Sequence, residues 1–139
     1  NLWIYSLKCS IFGEFSFTWP GALAALLIAA NLILILVSLA AMIYVMIRGK
    51  EVNNFARFGL FGLWLIQMVS FIAFNIGFPF GCTMDFRYIV PTVIVGAIYT
   101  GIALDRIKAK NKAVASGIFY IGVAAVALFG VASVLFYAA

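Results

Sequence analysis

The sequence predicts an all-α polytopic membrane protein, a short interfacial helix followed by four transmembrane helices. Three observations predict it. The chain is 67% hydrophobic and 9% charged over 139 residues, with a mean hydropathy of +1.20; a soluble domain of this size has no interior large enough to hide that much apolar surface. Four apolar runs approach the length needed to cross about 30 Å of hydrocarbon at about 1.5 Å per helical residue. The basic residues gather in two short links with two runs between them, so a single orientation satisfies both.

Residues 1–20 are too short, and too broken by Gly13 and Pro20, to span a bilayer. Ser6, Ser10, Gly13 and Glu14 recur at i, i+4, i+7 and i+8, while Leu7, Ile11, Phe12 and Phe15 lie mostly on the opposite arc. That pattern predicts an amphipathic helix lying on the extracytoplasmic surface. Lys8 falls on its apolar side, placed either to snorkel to headgroups or to reach an anionic ligand.

A four-helix membrane module follows over 21–139. Its first span, 21–47, is interrupted by Asn31 and, a heptad later, by Ser38; its second, 58–78, contains Gln67, Ser70 and Asn75. These polar residues suit interhelical hydrogen bonds. The third span is 86–104, where Gly96 with Thr100 and Ala97 with Gly101 give small-residue spacing for close helix packing. The fourth, 114–137, is rich in Ala and Gly, a composition that also fits a face for the remainder of a parent chain. The chain opens on Asn1 with neither an initiator Met nor a signal peptide in view, so the expectation is a piece of a larger protein.

Arg48, Lys50 and Arg57 occupy the first link, and Arg106, Lys108, Lys110 and Lys112 the second. The positive-inside rule then makes loops 48–57 and 105–113 cytoplasmic, with loop 79–90 and both termini extracytoplasmic. A bacterial plasma membrane is the expected location. The formal charge of +5 sits in these links, which argues for orientation and against a nucleic-acid partner. With no His and only Cys9 and Cys82, imidazole or thiolate metal clusters and His-based triads are excluded. Neither a dinucleotide fingerprint nor a Walker lysine is present. Cys9 and Cys82 fall on one side of the membrane, which leaves a disulfide open. Trp3, Tyr5, Phe12, Phe78, Phe80, Phe86 and Tyr88 fall at the extracytoplasmic boundary with Phe15, Phe17, Trp19, Phe136 and Tyr137. They read as an interfacial belt or as a lipid- and sugar-stacking groove.

The residues best placed for chemistry are Gly81 to Pro91, which set Asp85 and Arg87 among aromatics at the mouth of a span. An ion pair at a bilayer boundary is a functional-site hypothesis by default. If Pro91 opened the third helix, the span to Leu104 would be short for the bilayer. The helix is therefore expected to start near Phe86 with Asp85 as N-cap, leaving Pro91 inside it and the Arg87 carbonyl without a donor. A helix start so disturbed is tolerated where protein or water covers it, which predicts a wet outer cavity with Arg87 directed into it. Helix N-termini and arginine forks both suit phosphate. The competing reading is an Asp85–Arg87 cap with the arginine anchored in headgroups.

The run Cys82 to Thr92, Cys-Thr-Met-Asp-Phe-Arg-Tyr-Ile-Val-Pro-Thr, resembles the loop-and-span signature of bacterial GT-C type membrane glycosyltransferases. These phospholipid-carrier-dependent enzymes are related to protein mannosyltransferases. The run Leu7 to Phe17 is similar to a second segment that precedes a span in those proteins. What the resemblance implies is transfer of a sugar from a polyprenyl-phosphate carrier to an extracytoplasmic acceptor. The catalytic acid would lie in an early outer loop to which nothing here corresponds, and this chain would be the C-terminal membrane portion. Under it Arg87 and Lys8 hold the lipid phosphate, Asp85, Tyr88 and Glu14 belong to the substrate groove, and Asp85 and Glu14 are the weak catalytic candidates. The implied donor is the polyprenyl-phosphate-linked sugar. A divalent metal ion is an open cofactor, although Asp85 and Glu14 alone make a poor site. Membrane lipid is the remaining partner. The rival readings are a transporter or flippase fragment, with Asn31, Gln67 and Asn75 along a path, and a non-catalytic structural membrane subunit.

Overall fold

The computed structural model describes residues 2–12 and 21–138, apart from the side chains of residues 23, 82, 133 and 136–138. Every described element is helical: α1 (Leu2–Phe12), α2 (Gly21–Arg48), a π turn (Phe55–Gly59) leading into α3 (Leu60–Gly77), two 3-10 turns (Gly81–Met84 and Phe86–Ile89), α4 (Pro91–Lys110) and α5 (Lys112–Ala138). Among the described residues three stretches are long and apolar enough to cross a membrane: Ala24–Arg48, Phe55–Gly77 and Lys112–Ala132. Large aliphatic side chains such as Ile66 and Ile121 stand exposed on these helices, as expected where lipid is the solvent.

The third expected span, 86–104, corresponds to α4, which starts later at Pro91 and differs in kind from the other three. Its apolar part ends at Leu104, and Asp105, Arg106, Lys108 and Lys110 crowd its last turns. Yet it is the inner helix, with Val95, Tyr99 and Ala103 buried to 5% exposure or less. It packs on α2, α3 and α5. Its partners at one end are Ala41, Met42 and Val45 near the end of α2, so α2 and α4 run in the same sense. At the other end Ile11 and Phe12 of α1 meet Leu27 at the start of α2 and Ala132 late in α5. Phe12 is therefore core, rather than part of an aromatic belt. The bundle thus has an α1 end, holding the 3-10 turns, and a basic end, holding the two links.

The links show why the helices stop where they do. Gly49 N–H closes on the Val45 carbonyl at 2.8 Å, and a Cβ there would stand 2.3 Å from that oxygen. Asn53 Oδ1 accepts from Phe55 N–H at 2.8 Å, starting the next helix as a side-chain turn. Asn111 is extended and separates α4 from α5; its Oδ1 accepts from Val114 N–H at 3.2 Å, as an N-cap does. Arg57 turns back to give its Nε (3.1 Å) and Nη2 protons to the Met46 carbonyl. A cation thereby meets an orphan carbonyl in the last turn of α2.

The π turn has an identifiable cause in Tyr99. Its hydroxyl donates to the Arg57 carbonyl at 2.7 Å and lies beside the Phe61 backbone N–H. In an α-helix those two groups would bond each other. The buried hydroxyl stands between them and the ladder widens, so that Leu60 N–H reaches Phe55 O five residues back. A side chain inserted into the backbone ladder is one of the few things that deforms a helix sharply. Of the small-residue pairs expected on this helix, one packs: Gly96 is buried against Ser38 of α2, and Thr100 Oγ1 donates to the Gly96 carbonyl at 2.8 Å. Ala97 and Gly101 are exposed.

Candidate functional site

The segment from Gly81 to Pro91 is compact, but its backbone takes a different path from the one expected. Asp85 is an N-cap, with φ −69° and ψ 137°, yet it caps the 3-10 turn Phe86–Ile89 and not α4. Pro91 is the first residue of α4, where its missing N–H is least costly, rather than an interior break. The chain still lacks a donor, at a different carbonyl. Because the preceding turn follows i→i−3 bonding, the proline would have served Tyr88 and not Arg87. Gln67 of α3 donates its Nε2 proton to the Tyr88 carbonyl instead. An amide on a neighbouring helix thus fills the place of the absent backbone donor.

The Asp85 carboxylate is the centre of this layer. Its Oδ1 accepts from Arg87 N–H at 2.9 Å, and its Oδ2 from Arg87 Nε at 2.9 Å and Nη2 at 2.8 Å. The two side chains differ sharply in exposure, 4% for Asp85 against 72% for Arg87. The aspartate is therefore a buried post, and the guanidinium is a fork held on it and directed outward. The described residues present Arg87 at the surface and do not form the wet cavity expected around it.

Helix α1 covers this layer with its serines inward. Ser6 is buried and donates to the Met84 carbonyl at 2.9 Å. Ser10 donates to Leu7 O at 2.7 Å and accepts from Asn31 Nδ2 of α2 at 2.6 Å. Trp3 and Ile4 face away from the bundle. Of the expected polar arc, Ser6 serves a backbone carbonyl of the irregular segment and Ser10 meets an amide of α2, while Ile11 and Phe12 of the expected apolar arc are buried in the core rather than turned outward. Lys8 is half-buried, with Nζ 5.8 Å from the centre of the Tyr5 ring, and the Tyr5 hydroxyl lies against Gly81. Glu14 lies outside the described residues.

Tyr88 is half-exposed and meets Phe74 edge-on at 6.1 Å, so it lines the outer surface beside Arg87. Behind it Thr83 Oγ1 lies within reach of Asn75 Oδ1 (3.1 Å) and of the Phe78 (2.6 Å) and Phe80 (2.7 Å) carbonyls. Asn75 also donates to Phe71 O at 2.9 Å. Asn31, Gln67 and Asn75 are thus each engaged inside the protein, tying α1 and the 3-10 segment to the spans. Cys9 is buried; the side chain of Cys82 is outside those described. Among the described residues no three His, Cys, Asp or Glu side chains come together, and Asp85 gives both oxygens to Arg87.

The chain matches no family model, no curated protein and no solved structure. Any assignment of activity therefore stands on the residues and the geometry just described. Two of the most informative ones, Tyr99 and Gln67 as a partner of Tyr88, were not foreseen as a pair of backbone repairs. The signal for the second was present in Pro91, which announces a missing donor wherever it sits.

Proposed function

We propose that this chain is the C-terminal membrane portion of a glycosyltransferase that moves a sugar from a polyprenyl-phosphate carrier to an extracytoplasmic acceptor. In this reading α4 is a fourth transmembrane helix, the α1 end faces outward, and the basic links lie in the cytoplasm of a bacterial cell. The observation that carries it is the Arg87 fork, fixed on a buried carboxylate and exposed at the mouth of the innermost helix. The resemblance of the 82–92 run to GT-C type enzymes supports the same reading.

The chemistry follows from what such a fork can do. As the sugar leaves its carrier, negative charge accumulates on the phosphate oxygens. A guanidinium stays charged at any accessible pH, and its parallel N–H groups match two of those oxygens at once. Because Asp85 already holds it, little reorganisation is needed as charge develops. In this reading Lys8 of α1 supplies a second cation, and Tyr88 offers a ring face to the sugar. The engagement of Asn31, Gln67 and Asn75 within the fold favours this reading over a transporter path.

The test is sugar transfer from a polyprenyl-phosphate donor in membranes containing the protein. Arg87→Ala is expected to lower the rate by about 10²–10³, the usual cost of removing one preorganised donor, at unchanged expression. Arg87→Lys should recover part of it, and Asp85→Asn should fall between. Unchanged transfer in Arg87→Ala would leave the Asp85–Arg87 pair a structural cap and overturn the assignment.

A further inference from the structure

At the basic end, far from Asp85 and Arg87, the last turn of α2 and the last turns of α4 enclose an open cavity of about 330 Å³. Arg48 closes α2, Lys50 and Glu51 follow it in the link, and Arg106 and Lys110 stand one turn apart on α4, on the same face. Tyr44 and Ile47 form the wall nearest the apolar part of the bundle. Four cations therefore share one small space with a single carboxylate. That carboxylate, on Glu51, pairs with Arg106 at 3.3 Å while itself 89% exposed, an arrangement worth little in water. Like charges so gathered repel one another, weakly where water screens them, and an anion among them relieves that repulsion.

From this charge and position we infer that the cavity is a binding site for the headgroup of an anionic phospholipid in the leaflet at that end. Three features select that ligand. The cavity lies at the ends of two helices, just past the apolar stretch of α2, where a bundle seated in a membrane meets its lipid headgroups. Its net charge favours a phosphodiester without a compensating ammonium, such as phosphatidylglycerol, over a zwitterionic headgroup. Its apolar wall opens on the lipid side through Ile47, which is 63% exposed, so the first methylenes of an acyl chain continue along it. The volume is at the lower end of those that small-molecule sites occupy, enough for a headgroup. The inference requires only that the bundle sits in a membrane, and it is independent of any sugar-transfer activity.

The experiment compares Lys50→Gln/Lys110→Gln with Lys108→Gln/Lys112→Gln. Both remove two charges from the same end, but Lys108 and Lys112 do not line the cavity. Each protein is reconstituted in nanodiscs of phosphatidylcholine with a minority of phosphatidylglycerol, and the lipid retained after release is counted by native mass spectrometry. Retention of phosphatidylglycerol should fall about thirtyfold in the cavity variant, about fivefold per lysine, and clearly less in the control, whose lysines do not line the cavity. Equal falls in the two variants would reduce the effect to general surface charge and overturn the site. Displacement of the lipid by millimolar inorganic phosphate would overturn it in favour of a free-anion site. On the unaltered protein, Lys50 and Lys110 should be shielded from amine-reactive labelling by phosphatidylglycerol and not by phosphatidylcholine, while Lys108 and Lys112 react in both. Equal labelling of all four would also overturn it, whether or not the variants fold.

Discussion

Replacing Gly96 with alanine probes a close approach between α2 and α4. The added methyl would stand 3.0 Å from Cβ and 3.2 Å from Oγ of Ser38, where carbon atoms ordinarily settle at about 3.5–4.0 Å. The serine hydroxyl can rotate away. Its Cβ moves only with the backbone, so the two helices have to part by about half an ångström or more. Overpacking of this kind costs about 1–3 kcal/mol, and alanine returns up to about 1 kcal/mol through its better helix propensity. The net loss should therefore be about 0–3 kcal/mol. Gly101 supplies the control, because nothing lies within 4 Å of a Cβ built there; Gly101→Ala gains the propensity and meets no obstacle. The difference between the two variants isolates the overpacking, about 1–3 kcal/mol. Reversible unfolding in mixed micelles, titrated with a denaturing detergent and followed by circular dichroism, reads it directly. Ser38→Gly removes the obstructing atoms, so the two changes together should show a favourable coupling of about 0.5–3 kcal/mol. Identical midpoints for Gly96→Ala and Gly101→Ala would refute the packing of α4 on α2 described above.

Tyr99→Phe removes the hydroxyl that separates Arg57 O from Phe61 N–H; the π turn should close to an α turn, at a cost of about 1 kcal/mol, with altered hydrogen exchange at the Phe61 amide as the readout. Gln67→Leu strips the Tyr88 carbonyl of its partner and should cost about 0.6–1.7 kcal/mol in the same unfolding assay. In a Pro91→Ala background, where a backbone donor returns, that cost should largely vanish, and an undiminished loss would contradict the repair. Gly49→Ala sets a methyl 2.3 Å from the Val45 carbonyl oxygen, so it should destabilise the protein by about 2 kcal/mol or more, seen as a lowered unfolding midpoint.

Apolar length made α2, α3 and α5 legible in the sequence, because twenty consecutive lipid-compatible residues admit few other structures. The link positions were legible too, from charge. What escaped was backbone detail in segments where tertiary contacts choose among near-equal conformations. Asp85 was recognised as a cap, but whether it capped an α-helix or a 3-10 turn depended on Gln67, twenty-one residues upstream of Tyr88, being able to reach its carbonyl. The serine arc of α1 was visible as a pattern. Its direction was not, because a polar arc faces water in a soluble protein but faces polar protein when the alternative is lipid. The π turn had no local signature, since its cause is the hydroxyl of Tyr99 on a different helix. The Asp85–Arg87 pairing followed from proximity in sequence, whereas the depth of the aspartate, which makes it a post, required the fold.

The innermost helix is also the one least able to enter a bilayer alone. Its apolar portion ends at Leu104, and charged residues follow at once; the protein around it supplies the covering that its own composition does not. Such a segment partitions poorly from the translocation channel by itself. In the four-span arrangement proposed above it has to wait for company, docking on a hairpin of α2 and α3 already delivered and leaving together with α5, which Asn111 alone separates from it. Biogenesis of this bundle should then be a cooperative event, and shortening or charging α5 should strand α4 outside the lipid even though α4 itself is untouched.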